Sequence, residues 1–390
     1  MAARITRRNA LSMMAAAGLT GAVAGCTGSS PRAKPTGSAA AGLATGANLT
    51  TGPLLWATWP DYIDIDDSTP PHRPTLEAFT KSTGIQVVYR EVIDDNQAFV
   101  DTVNPALSQH RPIGFDLIVL TGWMAAQLAQ SGDLQPLDLA VMPNAGRVLP
   151  ALSRLDWDPD GKLARPWQAG LTGIAYDASK VERPVQSISE LLHRPDLKGK
   201  VALLSEYDDS VGMAMLARGY DPSDIVQSQA ETAIQDIAAA RHDGQVALIA
   251  GNEYIDKLVA GQIVASLAWS GDIIQAQADN PYIKFVVPEE GIMIWADMML
   301  VPDGSSRVAD ASRLIDYYYQ PTVAAKLADW VNYICPVQGA QAAMEKIDPA
   351  LAESPLIFPD DTILNQSFTF ATLPPALDNR LRTLFHQATA

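Results

Sequence analysis

Residues 76–89, LEAFTKSTGIQVVY, place a helix-like pattern directly before a strand-like one. Leu76 and Phe79 fall on one face of a helix predicted over 74–82. Gly84 supplies a residue that tolerates the left-handed conformation, which ends the helix before the apolar run that follows. A helix that turns at once into a strand is the repeating unit of an α/β protein.

The same alternation extends outward along the chain. A helical spacing of apolar residues over 308–319 predicts a second helix. Strand-like runs occur at 54–57, 86–89, 117–120, 201–204, 264–268 and 285–288. This order predicts an α/β chain with largely parallel sheets. Roughly 340 residues follow residue 51, which is long enough for two domains.

The first residues have the features of an export signal. TRRNAL at 6–11 resembles a twin-arginine motif, the apolar run 15–24 is too short to span a membrane, and VAGC at 23–26 fits a lipobox. We therefore predict a signal peptide over 1–25 and a lipidated Cys26. Residues 26–51 are rich in small and polar residues and predict a flexible tether. Together these features predict a protein anchored at the outer face of a cell membrane.

The charge and the cysteine content limit the kinds of partner and metal site that the protein can have. The whole chain has a formal charge of −16, and the first 25 residues carry three arginines and no acid, which leaves −19 for the rest. Such a charge opposes nucleic-acid binding and concentrates cations. If Cys26 is lipidated, Cys335 has no partner for a disulfide or a cysteine-based metal site, so we predict that Cys335 is a buried apolar residue. No metal and no cofactor are predicted.

Two tryptophans in the stretch 258–303 are each followed closely by an aspartate. Trp269 precedes Asp272, and Trp295 precedes Asp297. An aromatic face attracts a cation and a carboxylate adds a charge-assisted hydrogen bond, so the combination suits an organic ammonium group. Taken singly, each tryptophan is also consistent with core packing and each aspartate with a surface charge.

The sequence around these pairs resembles that of the polyamine-binding (spermidine/putrescine) receptors of bacterial ABC importers. The resemblance runs from about residue 54 to about residue 370. It rests on the block 269–302 and on segments in the family's order: 76–89, FDLIVL at 115–120, GDLQPLD at 132–138, LTGIAYD at 171–177 and LKGKVALLSE at 197–206. It implies a monomeric receptor that binds a polyamine and delivers it to the ABC permease.

The resemblance also implies a two-lobed periplasmic-binding fold of type II, with several chain crossovers and the ligand in the cleft between lobes. On this analogy one lobe comprises 52–168 and 297–340. The other comprises 169–296 and 341–390.

The family's cleft residues have counterparts at matching positions of this sequence. Asp297 corresponds to the acid that grips one end of the polyamine, and Trp123 stands where the family has a tyrosine, so that it keeps an aromatic face without a phenol hydroxyl. Thr121 corresponds to a small hydroxyl residue. The other aromatic counterparts, expected to stack on the ligand or form the walls of the cleft, are Trp59, Tyr62, Trp269, Trp295 and Tyr333.

The second acid of the family site is not fixed by the sequence. An ungapped alignment puts Tyr207 and Ser210 at the two positions that hold acids in the family. A shift of one residue places Asp209 at one of these positions instead. Asp272 and Glu253 are the competing candidates for the second ammonium group.

Two other kinds of function stay open at this point. An enzyme is disfavoured because the chain has no G-x-S-x-G, H-E-x-x-H or phosphate-binding glycine loop. A receptor of the same fold for a sugar, a thiamine-like cation or ferric iron is the nearer alternative. The tyrosines 317–319 superficially suit iron, but helical spacing predicts core packing for them. The acidic stretch 64–74 lacks the glycine and glutamate of a calcium loop and predicts a solvated loop at the cleft mouth.

Overall fold

The computed structural model describes residues 52–153 and 155–390. The signal peptide, Cys26 and the tether predicted from the sequence lie outside these residues. The strands are β1 (Leu54–Thr58), β2 (Val87–Glu91), β3 (Leu117–Thr121), β4 (Ala164–Asp177), β5 (Val201–Leu204), β6 (Val246–Ala250), β7 (Ala265–Trp269), β8 (Ile283–Val286), β9 (Ile292–Leu300) and β10 (Ser367–Phe368).

Helices surround these strands. The α-helices are Pro74–Thr83, Asn96–Leu107, Gly122–Ser131, Pro150–Ser153, Ile188–His193, Tyr207–Leu216, Gln227–His242, Glu253–Val259, Ser270–Asp279, Val308–Tyr318, Pro321–Val331, Ala340–Met344, Pro349–Ala352, Asp361–Asn365 and Pro375–Thr389. Short 3-10 helices occur at Leu139–Val141, Ala145–Arg147 and Pro195–Leu197. None of the helices in the described part of the chain has the length and apolar character needed to cross a membrane.

The strands form one mixed sheet in the order β2-β1-β3-β9-β4-β7-β5-β6, with β8 on β4 and β10 on β9. Strands β2, β1 and β3 are parallel at one end, and β7, β5 and β6 are parallel at the other. The two long strands in the middle, β4 and β9, pair antiparallel with each other and with their outer neighbours β7 and β3. The prediction of an α/β chain is therefore confirmed, whereas the expected largely parallel sheet is mixed: pairing is parallel at its two ends and between β9 and β10, and antiparallel along β4 and its neighbours.

The apolar residues form two core clusters that meet along β4. Leu171 of this strand belongs to one cluster, and Ile174, three residues further along, belongs to the other. All fourteen residues of β4 are buried. A strand buried on both faces shows no alternation of apolar and polar residues, so its period gives no strand signal. β4 therefore runs from one core cluster into the other.

The lobe boundaries taken from the resemblance remain a prediction. The stretch 341–390, which the analogy places entirely in the second lobe, divides between the clusters in the structure. Met344, Ala352 and Ile357 pack in the first cluster, whereas Leu381 and Phe385 pack in the second.

Several local predictions agree with the structure. The helix predicted over 74–82 spans Pro74–Thr83, buries Leu76 and Phe79, and ends at Gly84 with a φ of 76°. Cys335 is buried, and its burial raises the pKa of the thiol to about 12. Tyr318 and Tyr319 are buried in the first core cluster, as helical spacing predicts.

Candidate ligand-binding cleft

One large cleft, about 1320 Å³ in volume, is lined by residues 293–298 of β9 together with residues from several other strand ends, loops and helices. All ten residues predicted to bind ligand line it, although they come from distant parts of the chain. They are Trp59, Tyr62, Thr121, Trp123, Asp209, Trp269, Asp272, Trp295, Asp297 and Tyr333. The structure thus brings the predicted site together, while binding itself stays a prediction.

Strand pairing fixes the positions of the central residues. Thr121 at the end of β3 is paired with Asp297 of β9, and Trp269 at the end of β7 is paired with Thr172 of β4. Ends of strands in open α/β sheets are common places for ligand contacts, because the loops and helices that follow them leave the sheet there.

Asp297 is a buried carboxylate with hydroxyl donors. The Tyr62 hydroxyl donates to Asp297 Oδ2 at 2.7 Å. Burial raises the pKa of Asp297 to about 6, even though hydrogen bonds from Tyr62 and Thr121 act to lower it. Asn96 holds Thr121 in turn, since its Nδ2 donates to Thr121 Oγ1 at 3.1 Å. A buried carboxylate of this kind gains most from a ligand that brings its own positive charge.

Asp209 is a second buried carboxylate, fixed by two donors. Thr172 Oγ1 donates to Asp209 Oδ1 at 2.6 Å, and Trp269 Nε1 donates to Oδ2 at 2.8 Å. Trp295 Nε1 donates to the same threonine hydroxyl at 3.1 Å. Burial, with smaller contributions from the neighbouring carboxylates Asp208 and Asp297, raises the pKa of Asp209 to about 7, although the hydrogen bonds from Thr172 and Trp269 act to lower it. Both tryptophans of the Trp/Asp stretch therefore belong to the hydrogen-bond network of Asp209.

Asp272 binds two phenols. Tyr254 donates to its Oδ2 at 3.0 Å and Tyr333 donates to its Oδ1 at 2.9 Å. The Tyr333 ring also packs edge-on against Tyr62 and against Trp295, with ring centroids 6.3 Å and 5.4 Å away. Asp272 is thus one of the groups that hold the aromatic wall in place.

Two glycines allow the aromatic rings to approach the backbone. A Cβ atom at Gly170 would lie 2.3 Å from Trp295 Cζ2, and one at Gly271 would lie 2.6 Å from Tyr333 Cε1. Such separations are far below van der Waals contact, so any side chain at these positions would displace the rings.

The structure changes the expected role of Trp123. Its ring face is covered by the guanidinium group of Arg382, whose Cζ lies 3.9 Å from the ring centroid. In this structure the cation–π partner of Trp123 is therefore a residue of the chain. Nothing in the sequence indicated this contact, because Arg382 lies 259 positions after Trp123 in a helix that no motif distinguishes.

The structure also separates the candidates for the second acid. Tyr207 is buried against Phe370 and Phe385, and the Ser210 hydroxyl donates to the Leu204 carbonyl, so neither lines the cleft. Glu253 lines the cleft but is exposed at its edge. A half-buried acid of the cleft lining that the sequence did not single out is Glu206, whose pKa is raised to about 8 by desolvation and by the nearby Asp208 and Asp209.

The electrostatics of the lining favour a cation. Among the residues that the structure describes, acids line the cleft and no lysine, arginine or histidine does. No group of three or more His, Cys, Asp or Glu side chains in these residues has the arrangement of a metal site. The acidic stretch 64–74 contributes nothing to the lining, so it is not at the cleft mouth. Instead, Asp64 is buried and accepts a hydrogen bond at 3.0 Å from the backbone N–H of Thr75, in the first turn of the helix Pro74–Thr83.

Curated relatives of this sequence are binding proteins. The putrescine-binding periplasmic protein PotF of Escherichia coli strain K12 is 27% identical over 343 residues, which cover 83% of this chain and 88% of PotF. The putrescine-binding periplasmic protein SpuD of Pseudomonas aeruginosa strain UCBPP-PA14 is also 27% identical, over 81% of this chain and 86% of SpuD.

Solved structures share the fold. The spermidine/putrescine ABC transporter substrate-binding protein PotD of Streptococcus pneumoniae superposes with a TM-score of 0.72 at 22% identity, covering 86% of this chain and 98% of PotD. The two-lobed periplasmic-binding fold expected from the sequence is thereby confirmed. The family model described as bacterial extracellular solute-binding protein matches residues 75–359, well over half of the sequence. The chain therefore belongs to the family of bacterial extracellular solute-binding proteins.

Proposed function

We propose that this protein is the substrate-binding component of an ABC importer, and that it binds a polyamine such as putrescine or spermidine in the cleft and delivers it to the permease. The observation that carries the proposal is the placement of Asp209 and Asp297. Both are buried, each accepts hydrogen bonds from hydroxyl or indole donors, and aromatic residues line the same cleft. Two carboxylates with an aromatic lining suit two ammonium groups joined by a methylene chain.

The raised pKa values of the two acids support a cationic ligand. An ionised carboxylate is costly to bury without a partner, and a ligand ammonium group offsets that cost. A neutral sugar would stack on the same rings but would leave the charges uncompensated. An anionic ligand would meet a lining whose charged side chains, among the described residues, are all acidic. The names of the relatives PotF and SpuD agree with a diamine.

We further propose that the protein acts without chemical change of its ligand, as a monomer held at the outer face of the membrane. The twin-arginine-like motif, the lipobox ending at Cys26 and the polar segment 26–51 support this placement. A tethered lipid anchor lets the binding protein reach a permease in the same membrane.

Isothermal titration calorimetry of the purified full chain tests the ligand class. Putrescine, spermidine, spermine, glucose, thiamine and ferric citrate would be titrated separately under the same conditions. We expect saturable binding of at least one polyamine, with no binding of glucose or ferric citrate. Binding of glucose or iron without any polyamine binding would contradict the proposal.

A further inference from the structure

Arg382 connects the two sides of the cleft. It lies on the helix Pro375–Thr389, which packs into the second core cluster through Leu381 and Phe385. Its guanidinium group lies over Trp123, which packs against the first core cluster. The ring of Tyr207 is on another side, with its centroid 4.7 Å from Arg382 Cζ. The guanidinium is therefore held between two aromatic rings.

Two carboxylates fix the same guanidinium. Arg382 Nη2 donates to Asp208 Oδ1 at 2.9 Å, and Nε donates to Asp378 Oδ2 at 2.9 Å. Gln127, on the helix that begins beside Trp123, donates to the same Asp378 oxygen at 3.0 Å. The Arg382 side chain is only 17% exposed. Such a bonded and stacked arginine has one well-defined position.

Two of the groups that hold Arg382 also line the ligand cleft, namely Trp123 and Asp208. The cleft contains a second aromatic ring beside a carboxylate, because Trp269 is hydrogen-bonded to Asp209. Asp208 and Asp209 are consecutive, so the two arrangements are neighbours. The arginine thus occupies surroundings that would equally suit an ammonium group of a longer ligand.

We propose that Arg382 acts as a built-in cation that fills an additional ammonium position over Trp123 and so limits the length of the polyamine that the cleft accepts. This inference rests on the proposed function, because it concerns the selectivity of the same site. Replacing Arg382 by an uncharged residue of similar length would leave Trp123 and Asp208, which line the cleft, available to the far end of a longer diamine. A short diamine would not reach them.

Calorimetry with two diamines of equal charge tests the proposal. The probes are putrescine and diaminooctane, a diamine with the end-to-end length of spermidine. Because both carry two charges, the general effect of removing a positive charge is the same for both and cancels in the ratio of their dissociation constants. We expect Arg382→Met, in the full chain, to shift this ratio about tenfold or more in favour of diaminooctane, since a desolvated cation–π and carboxylate contact is worth roughly that factor.

Two further variants serve as controls. Arg382→Lys keeps a cation in place and should leave the ratio near that of the unmodified protein. Arg380→Met removes a charge from the same helix, where Arg380 pairs with Glu231 away from the cleft, and should also leave the ratio unchanged. If Arg382→Met does not fold, Arg382→Gln provides the same test.

The outcomes distinguish the possible roles. An unchanged ratio with equal losses for both diamines would mean that Arg382 only helps to close the cleft, which would overturn the selectivity proposal. The selectivity proposal would also be overturned if Arg380→Met changed the dissociation constants of the two diamines as much as Arg382→Met does. If the unmodified chain binds neither of these diamines and neither spermidine nor spermine, the proposed function itself fails.

Discussion

The indole N–H of Trp269 donates a hydrogen bond to Asp209 Oδ2 at 2.8 Å, which joins an aromatic wall of the cleft to one of its acids. Trp295 joins the same network through the Thr172 hydroxyl. The tryptophans therefore do two things at once: they present ring faces and they orient a buried carboxylate. Removing an indole N–H should consequently affect charge recognition as well as stacking.

This coupling predicts a ranking of three substitutions. We expect Asp297→Asn to weaken diamine binding most, because an ammonium group left without its buried partner costs about 2–5 kcal/mol. Trp269→Phe should rank second, since it removes a hydrogen bond to a carboxylate, and Trp295→Phe third, since its indole bonds a neutral hydroxyl. Dissociation constants from calorimetry provide the comparison. Trp330→Phe is the control, because Trp330 lies outside the cleft lining. Trp269→Phe costing more than Asp297→Asn would indicate a site that binds mainly by stacking.

The raised pKa values predict that ligand binding releases protons near neutral pH. In the unliganded protein Asp297 has a pKa of about 6 and Asp209 of about 7. A bound ammonium group favours the ionised carboxylates and lowers both pKa values, so protons leave on binding and affinity rises with pH between about 5.5 and 8. Calorimetry at about pH 6.5 in two buffers of different ionisation enthalpy measures the released protons. The observed heat should differ between the buffers, and Asp209→Asn should reduce the difference. Equal heats in both buffers would contradict this prediction.

The sequence predicted which residues line the site better than it predicted the contacts among them. Family segments placed ten residues in one cleft, and all ten line it. The sequence did not indicate that Tyr254 bonds Asp272 or that Arg382 covers Trp123, because such contacts depend on how helices pack across distances of many residues. The same limit applies to β4 and β9. Both are central strands buried along most of their length, so they lack the alternation by which strands are recognised.

A methyl group at Gly170 tests the geometry of the aromatic wall. The added Cβ would lie 2.3 Å from the Trp295 ring, which would have to move away from β4. We expect Gly170→Ala to weaken diamine binding about tenfold or more, since the ring loses both its stacking position and its hydrogen bond to Thr172. Gly146→Ala is the matched control, because no atom lies within 4 Å of a Cβ at that position. Unchanged affinity in Gly170→Ala would mean that the Trp295 ring does not contact the ligand.

The anchor at Cys26 predicts a change of location without a change of binding. Cys26→Ser removes the acceptor for lipid, so we expect the protein in the medium or unprocessed in the membrane fraction. The affinity of the purified variant for putrescine should equal that of the unmodified chain. The double substitution Arg7→Lys and Arg8→Lys should block export if the twin-arginine route is used. A Cys26→Ser protein that still carries lipid would contradict the lipobox assignment.

The remaining question is which acid holds the second ammonium group. Asp209 and Asp272 both line the cleft and both are buried, but their partners differ. Asp272 accepts from two phenols that belong to the aromatic wall, whereas Asp209 has a raised pKa and neighbouring negative charges that a ligand cation would relieve. We therefore expect Asp209→Asn to weaken putrescine binding by about tenfold or more, the equivalent of one charged hydrogen bond, and to leave butylamine binding nearly unchanged. Asp272→Asn should weaken the diamine and the monoamine alike, because it loosens Tyr333. Equal losses for both amines in Asp209→Asn, with a selective loss of the diamine in Asp272→Asn, would assign the second ammonium group to Asp272 instead.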